Sequence, residues 1–165
     1  MKKICIPAVI IATLMFLPGF AFAQKLSPKE IKDGTAYYDG AELPLFGKAF
    51  DGDCANGRYR RLPARLEGGC RGAVWHLGQE SAGLYLRFRS DSPFVKAHWV
   101  STFDNRMNHM TDTGVKGLDL YFMHDGKWRF AGSGRPKGKE NEATIVANMD
   151  REEREYMPYL SLYDG

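Results

Sequence analysis

The segment of residues 114–136, "GVKGLDLYFMHDGKWRFAGSGRP", constrains the fold more than any other part of the chain. It contains two runs in which apolar and polar residues alternate, with Asp125-Gly126 between them. A period of two is typical of a β-strand with one buried face. Asp-Gly favours a type I′ turn, because both central residues of that turn need positive φ. The segment therefore predicts a β-hairpin.

Other segments after residue 73 show the same period. "GLYLRFRS" places Leu84, Leu86 and Phe88 on one face, and "FVKAHWVST" has apolar groups on both faces, which predicts a central strand. "EATIVANM" and "YMPYLSLY" predict two further strands, and Pro158 favours an edge position for the last one because proline lacks an N–H donor.

Before these strands, "TAYYDG", "PLFGKAF", "GRYRRLP" and "AVWHLG" are interpreted as short extended pieces between turn residues, and no long amphipathic helix is evident. Many short strands with frequent turn signals are typical of all-β folds. The sequence predicts an all-β class, specifically an antiparallel, jelly-roll-like β-sandwich.

The first 23 residues have the pattern of a secretory signal peptide: Lys2 and Lys3, an apolar run over residues 4–17, and Ala21-Phe22-Ala23. We expect cleavage after about Ala23 and a secreted or periplasmic protein with no membrane attachment. A transmembrane span is the alternative, but the apolar run is short for one. The expected organisation is a signal peptide (1–23), a linker (24–36) and one domain (37–165).

The formal net charge is +3, with Lys and Arg interspersed among Asp and Glu. This pattern does not indicate nucleic-acid binding. Cleavage would leave Cys54 and Cys70 as an even pair in an oxidising compartment, which predicts a disulfide, with two free thiols as the alternative.

The chain lacks the residue patterns of common catalytic sites. It has no G-x-S-x-G block, and Ser90 and Ser92 lie in a predicted turn. Its histidines lack metal-ligand spacing; His76 and His98 are expected in strands. His109 lies among carboxylate and amide oxygens that could bind a hard cation, although ordinary hydrogen bonding is favoured. We expect no catalytic residue, metal or cofactor.

Aromatic side chains could form a platform for sugars or pack in the core. The candidates by residue type are Trp75, Trp99, Trp128, Tyr85 and Tyr121. Core packing is the interpretation favoured for each of them, since large aromatic residues dominate such cores.

Three blocks, "YYDGAELPLFGKAF", "GLYLRFRSDSPFVKAHW" and "GLDLYFMHDGKWRFAGSGRP", resemble the N-terminal domain of bacterial SGNH/GDSL-type esterases, a family named for its G-x-D-L-Y motif. The motif corresponds to Gly117, Leu118, Asp119, Leu120 and Tyr121. The resemblance runs from about Tyr37 to the C-terminus. It implies a jelly-roll-like sandwich that precedes a hydrolase domain in secreted proteins that remove acyl groups from carbohydrates.

The resemblance also implies that the catalytic residues belong to the hydrolase domain. We expect the chain to be the front part of a longer protein, because "YLSLYDG" is interpreted as the opening of a turn whose return strand is missing. We expect a non-catalytic accessory domain whose partner is the SGNH hydrolase catalytic domain. The polar loop of residues 103–117 is expected to face that domain, with Arg106, Asn108 and His109 near the rim of its active site.

Three rival interpretations stay open. The first is a free-standing carbohydrate-binding module for polysaccharide or acylated glycan. The second is an enzyme with its own serine or metal site. The third is a structural partner that docks to a separately encoded hydrolase.

Overall fold

The computed structural model describes residues 25–50 and 57–163. Short strands account for most of its regular structure. The strands are β1 (Glu30–Lys32), β2 (Thr35–Tyr37), β3 (Leu45–Phe46), β4 (Tyr85–Leu86), β5 (Phe88–Ser90), β6 (Val95–Val100), β7 (Leu118–His124), β8 (Lys127–Gly134), β9 (Glu140–Val146) and β10 (Arg154–Tyr159). The helices are α1 (Gly72–Gly78) and α2 (Asp112–Lys116), with single 3-10 turns at Gly40–Glu42 and Ala64–Leu66.

The largest sheet has the strand order β3-β4-β10-β7-β8, and β5 also pairs with β10. Two smaller units are the β1–β2 hairpin and the β6–β9 pair. All these pairings are antiparallel. The predicted all-β class is confirmed, whereas the jelly-roll sandwich arrangement stays a prediction.

The predicted hairpin is confirmed as β7 and β8. Asp125 and Gly126 have φ of 50° and 69°, as a type I′ turn requires, and His124 pairs with Lys127 across it. Tyr121 then pairs with Phe130 but Leu120 pairs with Gly132, so one extra residue forms a bulge in β8. Because of this bulge, the β8 residues before and after it face the same way as their partners in β7.

One face of the large sheet forms the core. Its fully or nearly fully buried side chains are Leu84, Leu86, Leu118, Leu120 and Tyr156. These come from three neighbouring strand segments at alternate positions, which confirms the buried face predicted for Leu84 and Leu86 and the alternation predicted for residues 114–136. The opposite face carries the groove described below.

The β6–β9 pair lies against the C-terminal half of β8. A Cβ at Gly132 would lie 2.5 Å from the carbonyl oxygen of Ile145, and one at Gly134 would lie 3.0 Å from the Trp99 ring. The prediction that β6 is a central strand is wrong, since within the described residues it pairs with β9 alone. Alternate β6 residues, including Val100 at 61% exposure, face outward instead.

The prediction of an edge position for the last strand is also wrong. β10 lies between β4 and β5 on one side and β7 on the other. Tyr156 pairs with Phe88, and the Leu160 amide donates to the Leu84 carbonyl at 2.9 Å. Because backbone N–H groups alternate in direction along a strand, the Pro158 nitrogen points to the same side as the nitrogens of Tyr156 and Leu160. It lies opposite the point between the end of β4 and the start of β5. The missing N–H donor thus coincides with a break in the ladder.

The segment "AVWHLG" is helical in α1, contrary to its interpretation as an extended piece, and His76 is therefore on a helix and not in a strand. The carbonyl of Gly78 accepts from the backbone amides of Arg61 and Leu62 at 3.1 and 3.2 Å. The Arg61 side chain donates to two further carbonyls at this end, those of Leu77 and Glu80. These distant donors satisfy groups that a helix end leaves unpaired. "GRYRRLP" supplies them from turns and bends, not from a strand.

Several predictions lie outside the described residues. These are the signal peptide, the turn at Asp164 and Gly165, and Cys54, so the disulfide with half-buried Cys70 stays a prediction. The expected linker, residues 24–36, includes β1 and most of the β1–β2 hairpin, whose turn residues Asp33 and Gly34 have positive φ. Among the described helices none has the length and apolarity to cross a membrane.

Candidate functional site

The motif strand β7 divides its residues between the two faces of the large sheet. Leu118 and Leu120 are buried in the core, at 7% and 0% exposure. Asp119 and Tyr121 point to the opposite face, because successive side chains in a strand alternate. The motif therefore contributes two residues to stability and two to an accessible surface.

Gly117 joins α2 to β7 at a very close approach of three backbone segments. A Cβ there would lie 2.4 Å from the carbonyl oxygen of Thr113 and 2.9 Å from that of Gly134. Its own amide donates to Thr113 at 3.0 Å. Lack of space therefore accounts for glycine as the first motif residue.

A row of aromatic rings crosses the accessible face of the large sheet, and we call it the aromatic face. Its members are Phe46, Tyr85, Tyr159, Tyr121, Phe130 and Trp128. Neighbouring ring centroids lie 5.1 to 5.8 Å apart from Phe46 through to Phe130. Such spacings are those of favourable stacked and edge-to-face pairs. The rings hold one another in place across five strands.

The Arg87 guanidinium lies on the aromatic face. Its carbon is 5.5 Å from the centroid of the Trp128 ring and 5.5 Å from that of Phe46. Glu155 holds the guanidinium in position by accepting from its Nε at 2.6 Å. These contacts place a cation beside both rings.

An open depression of about 530 Å³ runs along β7 on the accessible face of the sheet, and we call it the motif groove. Residues that line it include Gly117, Asp119, Tyr121, Trp128, Tyr159, Thr113 and Leu162. Asp119 is exposed and accepts a 2.6 Å hydrogen bond from the Ser133 hydroxyl. The groove combines apolar rings with one carboxylate.

The loop of residues 103–117 closes one end of the motif groove. Its last part is α2, whose N-terminus is capped by the Thr111 hydroxyl. The buried Lys116 ammonium pairs with Asp104, and the Lys116 carbonyl accepts from Trp99 Nε1 at 2.9 Å. The hydrogen bond from Lys116 lowers the pKa of the Asp104 carboxyl. The ion pair joins the two ends of the loop to each other, and the Trp99 hydrogen bond ties the second end to β6.

The predicted rim residues lie on the outer part of this loop. Met107 and Met110 form a bridge, which places Asn108 and His109 at an exposed two-residue tip. The side-chain oxygen Oδ1 of Asn108 lies 3.0 Å from His109 Nδ1. Arg106 Nε is 3.9 Å from the Asp112 carboxylate. All three side chains are open to solvent, and those of Asn108 and His109 contact each other.

The end of the described chain adjoins the same loop. The amide of Tyr163 donates to the carbonyl of Val115 in α2 at 2.8 Å. Leu160 and Leu162 line the motif groove, and Leu162 is 44% exposed. The chain therefore leaves the sheet beside α2 and the groove. We call this region the α2 corner, formed by α2 and residues 160–163.

The other candidate residues lie apart from the groove. Ser90 is the last residue of β5, and its hydroxyl accepts a 3.0 Å hydrogen bond from the Ser92 amide. His98 pairs with the exposed Glu140 at 3.1 Å. Within residues 25–50 and 57–163, no group of three or more His, Cys, Asp or Glu side chains is arranged to hold a metal ion.

Of the aromatic candidates, Tyr85, Tyr121 and Trp128 lie on the aromatic face, whereas Trp75 is in α1 and Trp99 packs beside β8. Sequence reasoning missed Tyr159. Its spacing from Met157 in "YMPYLSLY" could have placed both on one face, but the neighbouring strands were not evident from the sequence.

Fold and groove together define a class: an all-β domain of antiparallel sheets with an open aromatic groove on one sheet face. A family model described as GxDLY, the N-terminus of esterases of the SGNH hydrolase type, matches residues 35–165. The chain belongs to this family, and the resemblance noted from its motifs is confirmed.

A crystal structure from Bacteroides ovatus ATCC 8483, provisionally described as a GDSL-like lipase, is similar to this chain at 38% sequence identity and a TM-score of 0.69. The similarity covers 75% of this chain and 36% of that protein, so the chain spans about a third of its relative. No curated protein matches the chain.

Proposed function

We propose that this chain is a non-catalytic accessory domain of a secreted SGNH/GDSL-type esterase that acts on carbohydrate. In this proposal it packs on the hydrolase domain and shapes the rim of the active site. Family membership supports the position N-terminal to such a hydrolase. The chemistry of ester cleavage would then belong to the partner domain.

The observation that carries the proposal is the hydrogen bond between Tyr163 and Val115 at the α2 corner. A domain that follows in the chain would emerge there, next to the loop of residues 103–117. Short connections usually leave consecutive units adjacent in space. The loop is therefore well placed to meet a hydrolase domain without any long linker.

The composition of the loop tip fits a role at an active-site rim. Arg106, Asn108 and His109 are exposed and offer donors and acceptors within one short turn. Polar groups on a loop anchored by a rigid scaffold are common at functional surfaces. In this arrangement they would contact the glycan part of an acylated substrate and not the ester carbon.

The test uses a two-domain protein in which an SGNH hydrolase domain follows residue 165. We expect Arg106→Ala and His109→Ala to lower kcat/KM for an acetylated oligosaccharide several-fold. Both variants should leave the turnover of 4-nitrophenyl acetate within about two-fold, since this small ester does not reach the rim.

Arg129→Ala and His124→Ala are the matched controls. Both residues are exposed, and His124 lies six residues along β7 from Leu118, about 20 Å from the α2 corner. We expect the two control variants to leave the turnover of both substrates unchanged. Unchanged kinetics of the Arg106 and His109 variants with the oligosaccharide would contradict the rim role.

A further inference from the structure

We propose that the motif groove binds a pyranose-containing oligosaccharide directly. This goes beyond the proposed function, because binding by this chain alone needs no hydrolase domain. The candidate ligand is a chain of sugar rings lying along β7, with Tyr121, Trp128 and Tyr159 beneath it.

Three aromatic side chains, Tyr121, Trp128 and Tyr159, line one open groove. Tyr121 and Tyr159 have ring centroids 5.8 Å apart and planes at 78°. Trp128 lies further along the same face, opposite Met123. A pyranose ring presents a flat C–H surface that covers an aromatic side chain well. Four residues of strand separate Asp119 from Met123, about 14 Å, so the groove has the length of an oligosaccharide and not of one ring.

The exposed Asp119 carboxylate lines the groove together with these rings. An ionised carboxylate has about four acceptor sites, and the Ser133 hydroxyl takes one of them. A neutral sugar supplies hydroxyl donors to the remaining sites. Binding sites for small ligands commonly combine apolar walls with a few placed polar groups.

The same carboxylate disfavours the competing occupant, an apolar surface of a partner protein. Covering Asp119 with groups that donate no hydrogen bond would bury a charge without compensation, which is costly. An acyl chain in the groove would also leave the Asp119 carboxylate without hydrogen-bond donors. A polyhydroxylated ligand can pack against the rings and donate hydrogen bonds to the carboxylate.

The location of the groove fits a role beside an esterase. One end is closed by α2, and Thr113, Gly114 and Leu162 form that end. A glycan held along β7 would therefore point toward the α2 corner.

The experiment measures binding of six-residue β-1,4-linked oligosaccharides of glucose, xylose, mannose and N-acetylglucosamine to the purified chain. Isothermal titration calorimetry gives the affinity, and the NMR signal of the Trp128 indole N–H reports the site without any substitution. We expect saturable binding of at least one hexasaccharide and a shift of the Trp128 signal that saturates with it.

Variants then locate the contacts. Trp128→Ala and Asp119→Asn should each weaken binding at least ten-fold. The matched control is Tyr38→Ala, which removes an exposed ring (49%) that belongs neither to the aromatic face nor to the groove lining; the affinity of this variant should stay within about two-fold. Asp119→Asn retains an acceptor for Ser133, so it keeps the proposal testable if the tryptophan variant does not fold.

Three results would overturn the proposal. One is the absence of binding for all four oligosaccharides at millimolar concentration. Another is binding that leaves the Trp128 signal unmoved or persists in both variants. The third concerns the two-domain protein. If the hydrolase domain shields the Tyr121 and Tyr159 side chains from solvent and sugar binding is lost, the groove is a protein interface.

Discussion

The two faces of the motif strand should respond very differently to truncation, and Leu120→Ala against Asp119→Ala is the sharpest comparison. Leu120 is fully buried. Its truncation removes three carbon groups worth about 0.8 kcal/mol each, or about 2.4 kcal/mol of lost burial. The unfilled cavity adds to this, so we expect a loss of about 3 to 4 kcal/mol in the free energy of unfolding.

Asp119 is exposed, and its truncation removes one hydrogen bond to Ser133. We expect that change to cost about 0.5 to 1 kcal/mol, the usual net value of one hydrogen bond. Urea unfolding followed by circular dichroism measures both variants under identical conditions. Leu120→Ala should also lower Tm by about 10 °C, since 1 kcal/mol corresponds to roughly 3 to 4 °C for a domain of this size.

A cost of less than about 1 kcal/mol for Leu120→Ala would contradict its packing in the core, where such truncations cost about 2 to 5 kcal/mol. Equal destabilisation by Asp119→Ala and Leu120→Ala would also contradict the division of the motif. Either result would mean that the motif does not divide into a buried pair and an accessible pair.

Three further predictions concern the anchoring of α2 and its loop. Gly117→Ala should destabilise the protein by about 1 to 3 kcal/mol because its Cβ would collide with two backbone carbonyl oxygens, whereas Gly138→Ala, with open space around it, should be near neutral in thermal melts. Trp99→Phe leaves the Lys116 carbonyl without its indole donor, and we expect a loss of about 1 to 2 kcal/mol in urea unfolding. The pKa of Asp104 is lowered in the folded state by Lys116, so the stabilisation of the loop should be complete above the unfolded value of about 3.9 and be lost as the pH falls through the folded pKa. Proteolysis of the loop should therefore accelerate only in that acid range, and Asp104→Asn should abolish the pH dependence; acceleration between pH 5 and 8 would contradict this assignment.

Local signals were sufficient for the elements that depend on neighbouring residues. The Asp125-Gly126 turn and the alternation on either side of it specify the β7–β8 hairpin, because turn geometry and strand register are set within a few residues. The burial of Leu118 and Leu120 follows from the same alternation. The family motifs added the fold class and the position N-terminal to a hydrolase.

Long-range pairing explains what the sequence did not reveal. α1 is too short for a period of 3.6 to be recognised, and its C-terminal carbonyls are satisfied by donors from residues 61–62. The central position of β10 depends on the break between β4 and β5 opposite Pro158, which no local pattern records. The groove was missed for the same reason, since Tyr159 and Tyr121 meet only when β10 pairs with β7.

The measurement that tests the central claim most directly is hydrogen–deuterium exchange of the chain alone and of a two-domain protein in which a hydrolase domain follows residue 165. If the chain is an accessory domain that docks through the α2 corner, exchange should slow in residues 103–117 and around Tyr163, while the His124 end of β7 stays unchanged. Unaltered exchange throughout the loop and the corner would contradict docking there and the accessory role that rests on it.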